Sequence, residues 1–367
     1  MNRVRSTTTI LLFMAILFSL SFVSWFKSET LYSDSERRGL QRFPKLTVET
    51  LFSGSFTSSF ETYTQDQFPL RDVFRKIKAM GAFNLFQKQD NNDIVIDDDS
   101  IYKLEYPLNE SMLDHAADRF ENIYNTYLKD TDVNVYFSIV PDKNYYADDS
   151  AGLLKLDYNH LFEHMKENTP FMTYLDITSM LTIDDFYRTD THWRQEKITD
   201  VADYLLKEMN TESDLKTTEV TLNLPFYGVY HGQSALNIEP DSISYLMSES
   251  FEQCEVISYS TGTAKPIEIY NMSKASGKDA YELFLNGAEA LIEITNPNAK
   301  TDKELILFRD SFGSSLAPLL IDGYAKITLV DIRYMQSSML GDFIEFDQQD
   351  VLFMYSTLLL NSSLVLK

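Results

Sequence analysis

The sequence predicts a mixed α/β domain carried behind a single apolar N-terminal helix. Three observations lead there. One apolar run lies between about residues 9 and 26, and no second run of that length follows. Apolar strand-like runs at 133–140 and 304–308 alternate with stretches whose apolar residues recur at helical spacing. Between 217 and 295 short strand-like runs are separated by polar turns, and helical spacing disappears.

The first 27 residues form the targeting segment. Arg3 and Arg5 precede Ile10-Leu11-Leu12-Phe13 and the rest of a run close to the ~20 residues that cross a bilayer. Ser24-Trp25-Phe26-Lys27 is too bulky for a small-x-small cleavage site, so a retained signal anchor is expected in place of a cleaved peptide. Positive residues stay cytoplasmic, which makes this a single-pass membrane protein with its body outside the cytoplasm.

A net charge of −23 argues against nucleic acid and against docking to anionic lipid headgroups. With 44% hydrophobic residues, the body can build one large core, or one plus an insertion. Cys254 is the one cysteine, so no intrachain disulfide is possible. An exported chain without disulfides fits a bacterial cell surface.

Residues 28–92 are polar and helix-leaning, a segment expected to pack on the body. Pro69 sits at a helix start, and Val73, Ile77 and Met80 follow at helical spacing. From residue 93 to 367 the expected domain begins with a hairpin: Ile94-Val95-Ile96, acidic residues, then Ile101-Tyr102. Leu113, Ala116, Phe120, Ile123, Tyr124 and Tyr127 mark a helix over 112–128. A strand over 133–140 ends at Pro141-Asp142-Lys143, and another is expected over 171–177. The stretch 217–295 reads as a β-rich insertion walling one side of a cleft, with strands at 254–259, 267–270 and 291–295. Strands at 304–308, 326–330 and 351–355 then resume the α/β pattern.

Two stretches carry chemistry. In Tyr187-Arg188-Thr189-Asp190-Thr191-His192-Trp193 a carboxylate and an imidazole stand two residues apart, ahead of a helix with Val201, Ala202, Leu205, Leu206 and Met209 on one stripe. Such a carboxylate can fix the imidazole tautomer. The same residues also read as helix caps at the end of a core. Downstream, Asp310-Ser311-Phe312-Gly313 follows a strand and opens a helix with Phe312, Leu316, Leu319 and Leu320 buried, stopped by Gly323. Strand, tight turn, serine, helix exposes a nucleophilic hydroxyl beside helix N–H groups, although serine also caps helices.

Lesser candidates stand beside these. His160-Leu161-Phe162-Glu163-His164 matches a zinc-binding H-x-x-E-H helix, but it needs a further acidic ligand from elsewhere and so short a pattern recurs by chance; no metal is expected. Asp331 and Arg333 read as a structural ion pair. His231-Gly232 reads equally as a loop over the site or as a surface turn. Lys143, after a strand end, reads either as a cleft residue or as an exposed turn lysine.

The order Asp190-x-His192-Trp193, a strand ending in Asp310-Ser311-Phe312, then Val330-Asp331-Ile332-Arg333-Tyr334 resembles the DHHW family. Phe43-Pro44 with 66–72, Pro141-Asp142-Lys143, Phe284-Leu285-Asn286-Gly287 and Gln349-Asp350-Val351-Leu352 match its other blocks. That family is similar to the alginate O-acetyltransferase proteins AlgJ and AlgX, with an SGNH-hydrolase-like three-layer α/β/α fold and a permuted motif order.

The resemblance implies a triad of Ser311, His192 and Asp190, with the Ser311 N–H as one oxyanion donor. Asn286 and Gly287 are candidates for the remaining donors, and Lys143, Arg309 and Trp193 for substrate contact. Thr191 stands where the family name has His. Arg309 replaces the Gly of many SGNH nucleophile turns, where it would narrow the site or bind an anionic substrate. The implied activity is transfer of acetyl groups to hydroxyls of a cell-surface or secreted polysaccharide through acetyl-Ser311, without a cofactor. The implied partner is a membrane-bound O-acyltransferase that supplies the acetyl group. An acetyl esterase with the same triad and a non-catalytic polysaccharide-binding or assembly subunit are the alternatives.

Overall fold

Strands buried on both faces read as near-continuous apolar runs, and three such runs of this chain lie side by side in one sheet. The computed structural model describes residues 2–97, 100–147, 152 and 154–367. The chain divides into two compact units: residues up to Asn92 with His231–Ile238, and Asp93–Tyr230 with Glu239–Lys367.

The first unit contains α1 (Asn2–Phe26), α2 (Val48–Phe52), α3 (Ser55–Asp66) and α4 (Arg71–Met80). The span Val4–Phe26 is long and apolar enough to cross a membrane, a property that anchors and signal sequences share. The buried Asp66 carboxylate accepts two bonds from Arg38, at 2.6 and 3.0 Å, and one from the Gln41 N–H at 2.9 Å.

The second unit holds an eight-stranded sheet. Its strands are β1 (Asn134–Val140), β2 (Thr173–Tyr174), β3 (Glu255–Ser258), β4 (Lys265–Pro266), β5 (Leu291–Thr295), β6 (Glu304–Arg309), β7 (Lys326–Val330) and β8 (Asp350–Ser356). Across the sheet they run β4-β3-β5-β7-β6-β8-β1-β2. The five from β7 to β2 are parallel, and β5, β3 and β4 add antiparallel pairs beyond β7.

Successive residues of β6 enter opposite cores, as a two-residue period requires. Leu305 and Leu307 pack with residues of α7 (Thr199–Glu208) and α8 (Phe312–Leu320). Ile306 and Phe308 pack with Leu113 and Phe120 of α5 (Glu110–Ile123) and with Leu161 and Met165 of α6 (Tyr158–Asn168). The α/β expectation is met by this large sheet and its two cores.

Three local expectations change. The strand over 171–177 is only Thr173–Tyr174, an edge strand paired with Tyr136 and Phe137. At 267–270 the chain leaves the ladder; Lys265–Pro266 pairs with β3 instead, and Tyr270 makes an isolated bridge to Phe284. The β-rich stretch divides: β3, β4 and β5 extend the central sheet, while Thr218–Phe226 and Asp241–Met247 form a bulged hairpin of their own. The early hairpin pairs Ile94–Asp97 with Ser100–Lys103, and the acidic turn at 98 and 99 lies outside the described residues.

Candidate active site

Ser311 follows β6, where the strand order reverses, with β7 on one side and β8 on the other. In open α/β sheets the C-terminal strand ends at such a reversal form a natural crevice. The Asp310 carboxylate fixes the turn: it accepts the Phe312 N–H at 3.0 Å and the Ser356 N–H, at the end of β8, at 2.8 Å. Ser311 stands at the N-cap of α8, yet its hydroxyl makes no capping bond. The side chain is partly exposed, and Oγ lies 2.7 Å from His192 Nε2.

His192 Nδ1 lies 2.6 Å from Asp190 Oδ1. A carboxylate only accepts, so Nδ1 carries the proton and Nε2 presents its lone pair to the Ser311 hydroxyl. Asp190 is fully buried, and its Oδ2 accepts the Val229 N–H at 2.7 Å. The cap reading of this motif therefore does not describe it: a 3₁₀ turn at Gln195–Lys197 intervenes before α7 begins at Thr199. Such an array can draw the hydroxyl proton onto the imidazole while the oxygen attacks an acyl carbon.

The 187–192 loop is held at both ends and beneath. Phe186 and Trp193 bridge across its base, and the Tyr187 N–H donates to the His192 carbonyl at 3.0 Å. Asp241 accepts the N–H groups of Arg188 and Thr189 and the Thr189 hydroxyl, at 3.0, 2.8 and 2.6 Å. Gly228 passes so close that a Cβ there would sit 2.3 Å from the Thr189 carbonyl oxygen.

Lys143 turns out to belong to this support and does not face a cleft. Its buried Nζ donates to the carbonyls of Ile101, Tyr187 and Arg188, at 2.5, 2.9 and 2.9 Å. Burial pushes the ammonium down to about 7, with the carboxylates of Asp241 and Asp190 acting in the opposite direction.

Trp193 and Arg309 also leave the group of substrate candidates, because both are fully buried. The Trp193 indole N–H donates to the Ser315 hydroxyl at 2.9 Å and reaches the Phe312 carbonyl at 3.2 Å, locking the motif onto α8. The Arg309 guanidinium reaches the carbonyls of Gly287 and Glu289 at 3.4 and 3.3 Å and lies 3.6 Å from Asp331, which Arg333 holds at 2.6 Å. A buried guanidinium cannot meet a polymer substrate, but this one ties the 285–289 turn to the strand that carries Ser311.

That turn is left-handed at Leu285, Asn286 and Gly287, with φ of 48°, 63° and 81°. At Gly287 a Cβ would lie 2.7 Å from Glu282 Cγ. The Asn286 amide donates to Glu289 and accepts from Asn271 at 2.7 Å.

Tyr281 is the residue that the sequence reading missed. It lies parallel to His192, with ring centroids 3.8 Å apart and planes 9° apart, and its hydroxyl is 2.7 Å from Ser315 Oγ. No sequence pattern links residue 281 to residue 192. His160 and His164 lie elsewhere, 2.9 Å from Glu110 and 2.8 Å from Asp114 respectively. Among the described residues no group of three or more His, Cys, Asp or Glu is placed to hold a metal.

No protein-family model matches the chain, and no curated protein matches it. Among solved structures, a DHHW family protein from Eubacterium siraeum superposes with a TM-score of 0.61 at 20% identity, over 74% of this chain and 93% of that one. The chain has the fold of a DHHW family protein. Bacillus cereus PatB1, solved with a sulfonyl adduct, shares the same fold at a TM-score of 0.60 and 17% identity, over 74% of this chain and 97% of its own. The O-acetyltransferase domain of Pseudomonas putida AlgJ superposes more loosely, with a TM-score of 0.43 and 12% identity over 74% and 93% of the two chains. The DHHW resemblance read from the motifs is thus matched at the level of the fold.

Proposed function

We propose that this chain is an extracytoplasmic O-acetyltransferase of the SGNH-hydrolase-like type, retained in the membrane by α1 and acting on hydroxyls of a cell-surface or secreted polysaccharide. The observation that carries the reading is the hydrogen-bond chain from Asp190 through His192 to Ser311. In the first half-reaction Ser311 Oγ attacks the acetyl carbonyl of the donor while His192 Nε2 takes the hydroxyl proton. The tetrahedral oxyanion collapses, the bond to the donor oxygen breaks, and His192 gives that oxygen the proton.

In the second half, His192 takes the proton of a sugar hydroxyl, whose oxygen attacks acetyl-Ser311. Collapse releases the acetylated sugar, and the proton returns to Ser311. Asp190 holds the imidazole in one tautomer throughout. The Ser311 N–H and the Asn286-Gly287 turn are the proposed oxyanion donors. The acetyl donor is proposed to be a membrane-bound O-acyltransferase.

The full-length protein with p-nitrophenyl acetate tests the reading. A burst of p-nitrophenol with an acetyl adduct on Ser311, both absent in Ser311→Ala, is the expected result. Labelling by a sulfonyl fluoride, the reagent class suggested by the PatB1 adduct, should likewise need Ser311. Oligosaccharide acceptors then separate the activities: acetylated sugar marks a transferase, and acetate alone marks an esterase. No burst and no adduct in folded protein would overturn the catalytic reading in favour of a binding subunit.

A further inference from the structure

Among the described residues, sixteen large apolar side chains between 28 and 92 are exposed, against nine over the whole of 93–367. Helix α4 accounts for several. Val73, Ile77 and Met80 share one face by helical spacing and are exposed at 52%, 58% and 47%. Its polar side is the one bonded to protein: Arg71 lies 2.5 Å from Glu36, and Arg75 donates to the Gly232 carbonyl at 3.0 Å. An amphipathic helix in water buries its apolar stripe; this one is inverted. Phe52 in α2 and Leu85 beyond α4 are exposed as well, at 86% and 74%. Monomeric soluble proteins rarely show so much.

Two observations select the occupant. The inverted helix lies in the same compact unit as α1, the helix of membrane-spanning length, whose last residue Phe26 precedes α2 at Val48. The acidity of the whole chain is also not shared by this stretch: residues 28–92 carry nine Lys or Arg and eight Asp or Glu, although the chain totals −23. The repulsion from anionic headgroups expected of the whole chain therefore does not apply here.

We propose that α2 and α4 lie in the outer interface of the bilayer that α1 crosses, with their apolar side chains among the lipid and the polar face of α4 turned to protein. The proposal rests on α1 being a retained anchor. Amphipathic contact of this kind adds a second attachment to the single span.

The test uses the full-length chain carrying Cys254→Ser, with one spin label introduced at Leu17→Cys, Val73→Cys, Ile77→Cys or Asp72→Cys. It is reconstituted in vesicles of phosphatidylethanolamine and phosphatidylglycerol. Collision rates with oxygen, which partitions into lipid, are compared with those of a water-soluble nickel complex. Labels at 17, 73 and 77 are expected to favour oxygen over nickel about threefold or more relative to the label at 72. A label at 17 in lipid with 73 and 77 as open to nickel as 72 would overturn the proposal and leave the anchor standing. Shielding of 73 and 77 from both reagents would overturn it in favour of a protein occupant, this chain's own body or a second copy. A label at 17 in water would remove the anchor and the proposal together.

Discussion

Both oxygens of Asp190 accept hydrogen bonds, and that sets what its replacement does. Oδ1 meets His192 Nδ1 and Oδ2 meets the Val229 N–H. Asp190→Asn keeps the shape but must point its amide N–H at one of them. Turnover of p-nitrophenyl acetate is expected to fall about 10³- to 10⁴-fold while the protein stays folded by circular dichroism. Tyr281 separates stacking from hydrogen bonding. Tyr281→Phe keeps the ring over His192 and loses only the bond to Ser315, a stability cost of about 1 kcal/mol in urea denaturation. Tyr281→Ala empties a buried site beside the imidazole, and should cost about 3–5 kcal/mol and lower kcat as well. Cys254 is a third readable position: burial pushes its thiol up to about 11, and its Sγ donates to the Ser250 carbonyl at 3.2 Å. Only the thiolate alkylates, so reaction with iodoacetamide at mildly alkaline pH should run about 100-fold slower in the folded protein than in urea, and should rise as pH approaches the thiol's own range.

At the scale of elements, the 187–192 loop is positioned by groups distant in sequence. Gly228→Ala would force its new methyl into the Thr189 carbonyl and the Asp190 Cβ, at 2.3 and 2.5 Å. A displacement of about 1 Å in a catalytic loop costs about 100-fold in rate, so kcat should fall far more than stability does. Lys143→Met leaves the Tyr187 carbonyl without its ammonium donor, and is expected to destabilise by about 1–3 kcal/mol with loss of turnover, followed by thermal unfolding and initial rates. These elements also explain what was readable beforehand. The run at 304–308 and the stripe of α8 are local patterns, so the turn at Ser311 could be placed from them. Asp190 and His192 are neighbours in sequence, and their pairing was equally open to view. Lys143 follows a strand end, but its carbonyl partners come from residues 101, 187 and 188, and no periodicity records that meeting. The buried state of Arg309 and Trp193 was hidden for the same reason: burial of a polar or aromatic side chain is decided by the other elements that close over it.

For the whole molecule, α1 makes a separate prediction. If it is retained, alkaline carbonate should leave the protein in the membrane pellet at its full-length mass, and only detergent should release it; a shortened, soluble form would mark a cleaved signal instead. The outermost strands of the central sheet bear on life in such a setting. The sheet ends on β2 and β4, each two residues long, and β4 includes Pro266, which has no N–H to donate. Long bare edges recruit strands from neighbouring copies, and these two offer almost nothing to recruit with. At either end of the central sheet, one molecule therefore offers a neighbour too little backbone to extend the ladder.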